Sequence, residues 1–359
     1  MALVPRDDKR VAAQEKRHEN LTKFLEKFTD AFGNKLEPAL IIVRQDTPQP
    51  FMTTEALAGF RDLVAMSVVP LNRAREMLCP GRGRIGYSDA FRLYPWTLDR
   101  NYKDLIAGTP ALLGLHSLNR FNGQSTPDLS PCHLSKSSLD EPLLEVLVRR
   151  WQRRFSVRKA KWSDIALFRS LNMANQAALI PAGTENTLYD AGRSIALWVS
   201  ACEILAHPGQ GKSGIVQVYE LLDQVHWLYS KSRHRLYKPN TRHQKGKKGQ
   251  PTQRRTIAAW LYSEIYRARN DFIHGNPVSN QQLYVRKSNR TLFQYAAPVY
   301  RMVLTGFLDL WWNEPFPSTE DGGTKLGEYV AQMTNFKNYQ KTVEDSLLLA
   351  TPSSTVKAV

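Results

Sequence analysis

The segment Thr256–Ile273 is the feature that most constrains how this chain can fold. It contains no glycine and no proline. Its apolar residues recur every three or four positions, as on one face of a helix: Ile257, Leu261, Ile265, Ala268 and Phe272. Gly275 suits a left-handed cap just past the helix end, and Pro277 prevents the helix from continuing. The pattern predicts a long helix with one apolar face that ends at about residue 273.

Polar side chains are concentrated in the last turn of this predicted helix. Asn270 and His274 are four residues apart and project from the same face, and the long side chain of Arg269 can reach back toward them. At the helix C-terminus, His274 lies at the negative end of the helix dipole, which attracts a cation. An imidazole that moves protons, beside a guanidinium that holds negative charge, suits the cleavage of a phosphodiester. The alternative is that Arg269 and His274 only cap the helix.

The order of these residues, closing a helix that follows a basic loop, resembles the signature of HEPN domains (higher eukaryotes and prokaryotes nucleotide-binding), in particular the Apea-like group. That signature is an arginine, a polar residue, three further residues and a histidine, often followed by glycine. The chain matches it at Arg269, Asn270, His274 and Gly275. The resemblance covers roughly residues 140–312. It implies an all-α bundle that is either a metal-independent endoribonuclease or a non-catalytic RNA-binding or adaptor module.

The enzyme alternative assigns a role to each residue of the motif. The resemblance implies that His274 assists attack of the ribose 2′-hydroxyl on the adjacent phosphate or protonates the leaving oxygen. Arg269 would stabilise the transition state, and Asn270 would position either of them. HEPN relatives typically pair with their motif helices at the interface, which implies a homodimer, with Glu203 and Asp271 offsetting its positive charge. A toxin or an antiviral-defence effector is the biological role that the resemblance implies. A third possibility, a HEPN partner of a nucleotidyltransferase, needs that enzyme on another chain.

A second match to the family lies in the predicted helix from Thr187 to Ala206. Its stretch Ser194–Leu205 resembles the first core helix of Apea-like HEPN domains, which carries an acidic residue near its end. Glu203 matches that residue and is expected to orient Arg269 or His274. A solvent-facing glutamate is the equal alternative.

Two basic segments are candidates for contact with RNA. Lys231–Arg255 holds ten Lys or Arg, two His and no acidic residue. We expect it to bind phosphates beside the motif. The residues predicted to do so are Lys245, Lys247, Lys248, Arg254 and Arg255. In Arg149–Phe155, arginines alternate with aromatic residues, which suits charge and stacking on single-stranded RNA. The alternative places Trp151 and Phe155 in the core.

The overall charge and the cysteines limit which class of protein this chain can belong to. The 359 residues carry a formal net charge of +16, which favours a polyanionic partner, with nucleic acid first and an anionic membrane surface second. No apolar run approaches a membrane-spanning length of ~20 residues, so we expect no contact with the membrane interior. The three cysteines are far apart and form neither a zinc spacing nor a disulfide framework, which favours a reducing cytoplasm. No cofactor and no metal ligand set is predicted.

A nucleotide-binding motif is rejected because of the structure predicted around it. Ala206–Ser213 satisfies a relaxed Walker A pattern, but it follows a helix, whereas a P-loop follows a strand. We predict instead that Pro208 ends one helix and that Ser213 caps the next, over Ile215–Tyr229.

The predicted fold class is α+β, with a C-terminal all-α HEPN-like bundle preceded by a smaller mixed α/β domain. Within residues 18–120, Val64–Leu71 fits either a strand or a helix, limited by Pro70. The predicted divisions are a flexible N-terminus over 1–17, the mixed domain over 18–120, a linker over 121–138, the bundle over 139–314, and a C-terminal helix with a disordered tail over 315–359.

Overall fold

A computed structural model describes the chain in segments. These are residues 1–17, 19–26, 35, 40–81, 85–94, 96–98, 105–107, 126–128, 135–157, 159–179, 187–230, 237, 254–285, 290–317 and 322–351.

The N-terminal part pairs two strands beside two short helices. Strand β1 (Ala2–Val4) runs antiparallel to β2 (Leu40–Ile42). Helices α1 (Lys9–Glu15) and α2 (Glu19–Leu25) contribute apolar side chains to a small core with these strands. Residues 1–17, which were expected to be flexible, therefore contain a strand and a helix.

Two more antiparallel strand pairs follow in the described chain. Strand β3 (Arg92–Tyr94) pairs with β6 (Thr126–Asp128), and β4 (Trp96–Leu98) pairs with β5 (Leu105–Ala107). Strand β6 falls inside the predicted linker 121–138.

The remainder of the described chain is mostly helical. Its helices are α3 (Thr54–Leu78), α4 (Glu141–Ser156), α5 (Trp162–Ala177), α6 (Leu188–Ala206), α7 (Ile215–Asp223), α8 (Ile257–Ile273), α9 (Leu292–Leu308) and α10 (Gly322–Leu348). Helix α6 lies at the centre, in contact with α5, α7, α8 and α9.

Helix α3 is one continuous helix that packs with the C-terminal helices. It runs through Pro70, so of the two alternatives for Val64–Leu71 the helix is confirmed. Proline removes one helical hydrogen bond, a loss that packing offsets here, because α3 is buried against α5, α9 and α10. Its side chains share one hydrophobic core with the bundle. The structure therefore differs from the predicted division, which placed α3 in a domain separate from 139–314.

A buried ion pair links three of these helices. Arg301 of α9 donates from Nε to Asp140 Oδ2 at 2.7 Å, and both side chains are 1% exposed. Asp140 also caps α4, because its Oδ1 accepts from the amide of Leu143 at 3.3 Å. The amide of Asp140 donates to the carbonyl of Ser67 in α3 at 2.8 Å. Asp140 therefore ties three helices together: its carboxylate caps α4 and pairs with α9, and its backbone amide bonds to α3.

The last described helix, α10, is fastened by a second buried carboxylate. Glu344 is fully buried and accepts from the amides of Leu228 at 2.7 Å and Tyr229 at 3.0 Å. Val343 and Leu347 of the same helix lie in the main core. Within the described segments, no helix is both long and apolar enough to cross a membrane.

Candidate active site

Helix α8 begins and ends close to where its sequence predicts. The hydroxyl of Thr256 accepts from the amide of Ala259 at 3.3 Å, which satisfies one of the first amides of the helix. His274 is the C-terminal cap, and its amide donates to the carbonyl of Asn270 at 3.0 Å. Gly275 has φ +68°, the left-handed conformation expected of it. The prediction for this helix is confirmed.

The end of α8 is set by close packing on α6. Phe272 lies against Gly192, where a Cβ atom would stand within 3.0 Å of the phenyl ring. Gly192 is buried in the first turns of α6, so the start of α6 and the end of α8 meet at this glycine. This contact fixes where Asn270 and His274 are presented.

Two of the three predicted catalytic side chains are in direct contact. Arg269 donates from Nη1 to Asn270 Oδ1 at 2.8 Å. The side chain of His274 is exposed, whereas those of Arg269 and Asn270 are half-buried. Asn270 therefore links Arg269 to His274, because its side chain accepts from Arg269 and its backbone carbonyl accepts from the amide of His274.

The guanidinium of Arg269 is directed toward groups on α6 and α8. Its Cζ lies 5.7 Å from the ring centroid of Tyr266, one turn earlier in α8. Burial raises the pKa of Glu203 on α6, and the positive charge of Arg269 partly opposes that rise, which places the two charges near each other. Arg269 Nε is buried and has no hydrogen-bond acceptor in the described part of the chain.

Asp271 holds the turn after the helix. Its carbonyl accepts from the amide of Asn276 and its Oδ1 accepts from the side-chain amide of Asn276, both at 3.0 Å. These bonds close the turn around Gly275. Asp271 therefore supports the motif through the backbone conformation that follows it.

The predicted RNA-binding residues are only partly within the described chain. Lys245, Lys247 and Lys248 lie outside it, and Arg254 is exposed. Arg255 is 8% exposed and donates from Nη1 to Asp223 Oδ2 at 2.5 Å. Because it is buried and paired, its predicted contact with RNA phosphates is not supported, and it fastens the start of α8 to α7.

The base of the basic segment is far from His274 along α8. Residues Tyr237 and Arg255 form an antiparallel bridge, and the ring of Tyr237 stacks on Trp260 at 5.7 Å. Helix α8 has 17 residues, which corresponds to about 26 Å at 1.5 Å per residue. The base of the segment and His274 therefore lie at opposite ends of one helix, and the predicted phosphate contact beside the motif falls on residues 238–253, outside the described chain.

In helix α4 the aromatic residues Trp151 and Phe155 lie in the core, as the second of the two predicted alternatives has it. Trp151 and Phe155 are each 6% exposed, and Trp151 Nε1 donates to the carbonyl of Ala56 in α3 at 2.9 Å. Arg153 forms an ion pair with Asp164 of α5 at 2.7 Å. The aromatic faces of this helix are unavailable to RNA bases.

The Walker-like segment connects two helices, α6 and α7, as expected. Gly209 and Gly211 have positive φ values, and the amide of Gly209 donates to Nδ1 of His207 at 3.0 Å. Two details differ from the prediction. The N-terminal cap of α7 is Gly214, while Ser213 donates to the carbonyl of Glu203, and α7 ends at Asp223.

Sequence reasoning missed Tyr266 and Gly192. A signal for Tyr266 was present, since a residue three positions before Arg269 lies beside it on a helix. Gly192 had none, because its partner Phe272 is 80 positions away in the sequence.

Comparison of the chain with models of protein families, with curated proteins and with solved structures finds no match. Among the described residues, no three His, Cys, Asp or Glu side chains cluster as metal ligands would.

Proposed function

We propose that this chain is an endoribonuclease that acts without a metal ion through Arg269, Asn270 and His274. The observation that carries the proposal is the arrangement at the end of α8. An exposed imidazole lies one turn from an asparagine whose side chain holds an arginine. A proton-transfer group and a fixed positive charge at one helix end are what transesterification of RNA requires.

The proposed reaction uses the RNA's own 2′-hydroxyl as nucleophile. His274 takes the 2′ proton, the 2′ oxygen bonds to the adjacent phosphorus, and the bond from phosphorus to the 5′ oxygen breaks. The leaving oxygen receives a proton, which gives a 5′-hydroxyl and a 2′,3′-cyclic phosphate. Arg269 neutralises the charge that develops on the phosphate oxygens. Asn270 keeps Arg269 in place through its 2.8 Å hydrogen bond.

We further propose that two copies build one site. The motif of a single chain holds one imidazole, so the same group would have to act as both base and acid. An isologous homodimer around His274 supplies a second imidazole to the same cleft. Cytoplasmic location and a role as a toxin or antiviral-defence effector complete the proposal; the first follows from the unpaired spacing of the cysteines and the second from the resemblance of the motif to HEPN domains.

A second candidate function is a non-catalytic RNA-binding or adaptor module. The observation that favours it is the surroundings of Arg269. Its guanidinium donates to Asn270, lies over the ring of Tyr266 and is attracted by the charge of Glu203. Its Nε is buried. In that case Arg269 and His274 serve folding or phosphate contact alone.

The deciding experiment incubates purified protein with mixed RNAs in EDTA and maps the cut ends. We expect 2′,3′-cyclic phosphate ends. His274→Ala and Arg269→Ala are each expected to lower cleavage by ~100-fold without unfolding, the usual scale for loss of a proton-transfer or charge-stabilising group. His226→Ala and Arg44→Ala, which change exposed residues outside the site, are the matched controls. Equal activity in all four variants contradicts the enzyme and favours the adaptor.

The basic segment is tested separately by its salt dependence. Alanine at Lys245, Lys247, Lys248 and Arg254 should weaken RNA binding for all sequences alike and flatten the slope of affinity against salt, since fewer counterions are released. Arg255 is left intact, because its ion pair with Asp223 belongs to the fold. An unchanged slope contradicts phosphate binding by this segment.

A further inference from the structure

We infer that Tyr266 is the residue that positions Arg269 for the reaction, an inference that rests on the proposed ribonuclease function. Tyr266 and Arg269 are three residues apart on α8 and therefore lie on adjoining surface. Arg269 Cζ is 5.7 Å from the centroid of the Tyr266 ring, within the range in which the ring face attracts a cation.

The ring supplies an orientation that hydrogen bonds alone do not give Arg269. Within the described part of the chain, the bond from Nη1 to Asn270 Oδ1 fixes a single corner of the guanidinium, which can still rotate about that corner. Nε has no acceptor among the described residues. Contact with the face of Tyr266 restricts the tilt of the guanidinium plane. Glu203 adds attraction from α6.

Tyr266 is itself held by a chain of tyrosine rings that leads into the core. Its centroid is 6.1 Å from that of Tyr262, at an interplanar angle of 49°. Tyr262 is 1% exposed and meets Tyr219 of α7 edge to face, with centroids 6.3 Å apart. A ring fixed in this way is a rigid support, since tilting it would displace buried neighbours. The positioning of Arg269 therefore depends on the packing between α7 and α8.

The test replaces the ring while keeping apolar volume. Tyr266→Leu removes the π face, whereas Tyr266→Phe retains it. A cation–π contact of this kind corresponds to about 2- to 30-fold in rate. We expect Tyr266→Leu to lower kcat by about 5- to 30-fold, with KM changed less than about 2-fold, because Arg269 acts on charge that develops in the transition state. Tyr266→Phe should stay within about 2-fold of wild type.

Two further readouts separate positioning from folding. In an Arg269→Ala background, Tyr266→Leu should cause no additional loss of cleavage. In ¹⁵N-edited NMR spectra, the Nε–H signal of Arg269, assigned by its loss in Arg269→Ala, should shift in Tyr266→Leu and stay in place in Tyr266→Phe. Tyr284→Leu, an exposed tyrosine outside the site, is the control for loss of a ring. Tyr266→Met replaces Tyr266→Leu if the latter does not fold.

The outcomes distinguish the two proposals. If Tyr266→Leu matches Tyr266→Phe in kcat, or lowers cleavage equally with and without Arg269, Tyr266 has no positioning role. If wild-type protein cleaves no RNA, the proposed function fails, and the NMR signal alone decides the inference. An Arg269 signal unmoved by Tyr266→Leu overturns the positioning, and a shifted signal supports it.

Discussion

Replacing Asp140 should reveal how far the bundle depends on one buried ion pair. Asp140→Asn keeps a side-chain oxygen that can cap α4 but removes the negative charge beside Arg301. The guanidinium, 1% exposed, would then be buried without a counter-charge, at a cost of about 3–5 kcal/mol. Asp140→Ala also loses the cap on Leu143, which adds about 1 kcal/mol. Either change consumes much of the roughly 5–15 kcal/mol by which proteins are stable.

The assay is urea unfolding at pH 7, followed by circular dichroism. The matched control is Asp46→Asn, because the pair of Asp46 with Arg44 is 67% and 81% exposed and should contribute less than about 1 kcal/mol. The double variant of Asp140→Asn with Arg301→Met should lose less than the sum of the two single losses, since neither charge is left buried alone. A loss below about 1 kcal/mol for Asp140→Asn, or strict additivity, refutes this reasoning.

Three further predictions concern packing and pH. Gly306→Ala should destabilise the chain by about 1–3 kcal/mol in urea unfolding, because its Cβ would stand within 3.0 Å of the backbone carbonyl oxygen of Leu221, which cannot turn away. Gly192→Ala should cost less than Gly306→Ala, because the half-buried Phe272 side chain can move as a whole about its Cα–Cβ bond, whereas a backbone carbonyl cannot; the reverse order contradicts this explanation. Burial raises the pKa of Glu203 in the folded state above its ordinary value. The free energy of unfolding of the wild type should therefore fall as pH rises from the ordinary pKa of a glutamate through the raised pKa, because the folded state must then bury a charge. Glu203→Gln should therefore gain stability over wild type above that window and match it below, and a gain confined to acidic pH contradicts the assignment.

The parts of the site that the sequence predicts well depend on nearby residues. Helix α8 follows from the Thr256 cap, an uninterrupted helical run and Gly275, all of which act within a few positions. The contact between Arg269 and Asn270 joins adjacent residues. Local chemistry of this kind is visible in a sequence before any fold is known.

The parts that the sequence could not predict depend on partners far along the chain. Arg255 looks like a free cation until Asp223 is placed beside it by the packing of α7 on α8. Helix α3 looks interrupted at Pro70, because the burial that compensates for the proline comes from helices that begin more than 60 residues after α3 ends. Composition and periodicity carry no record of such distant neighbours.

The position of α10 has a consequence for the order in which the chain folds during synthesis. This helix, Gly322–Leu348, packs on α3, Thr54–Leu78, which leaves the ribosome more than 240 residues earlier. Until α10 emerges, the surface of α3 that it covers stays in water, and the amides of Leu228 and Tyr229 lack the carboxylate of Glu344. Contacts so distant in sequence form late and slowly. Translation that stops short of residue 322 therefore yields an open bundle with exposed apolar surface, a substrate for chaperones and proteases.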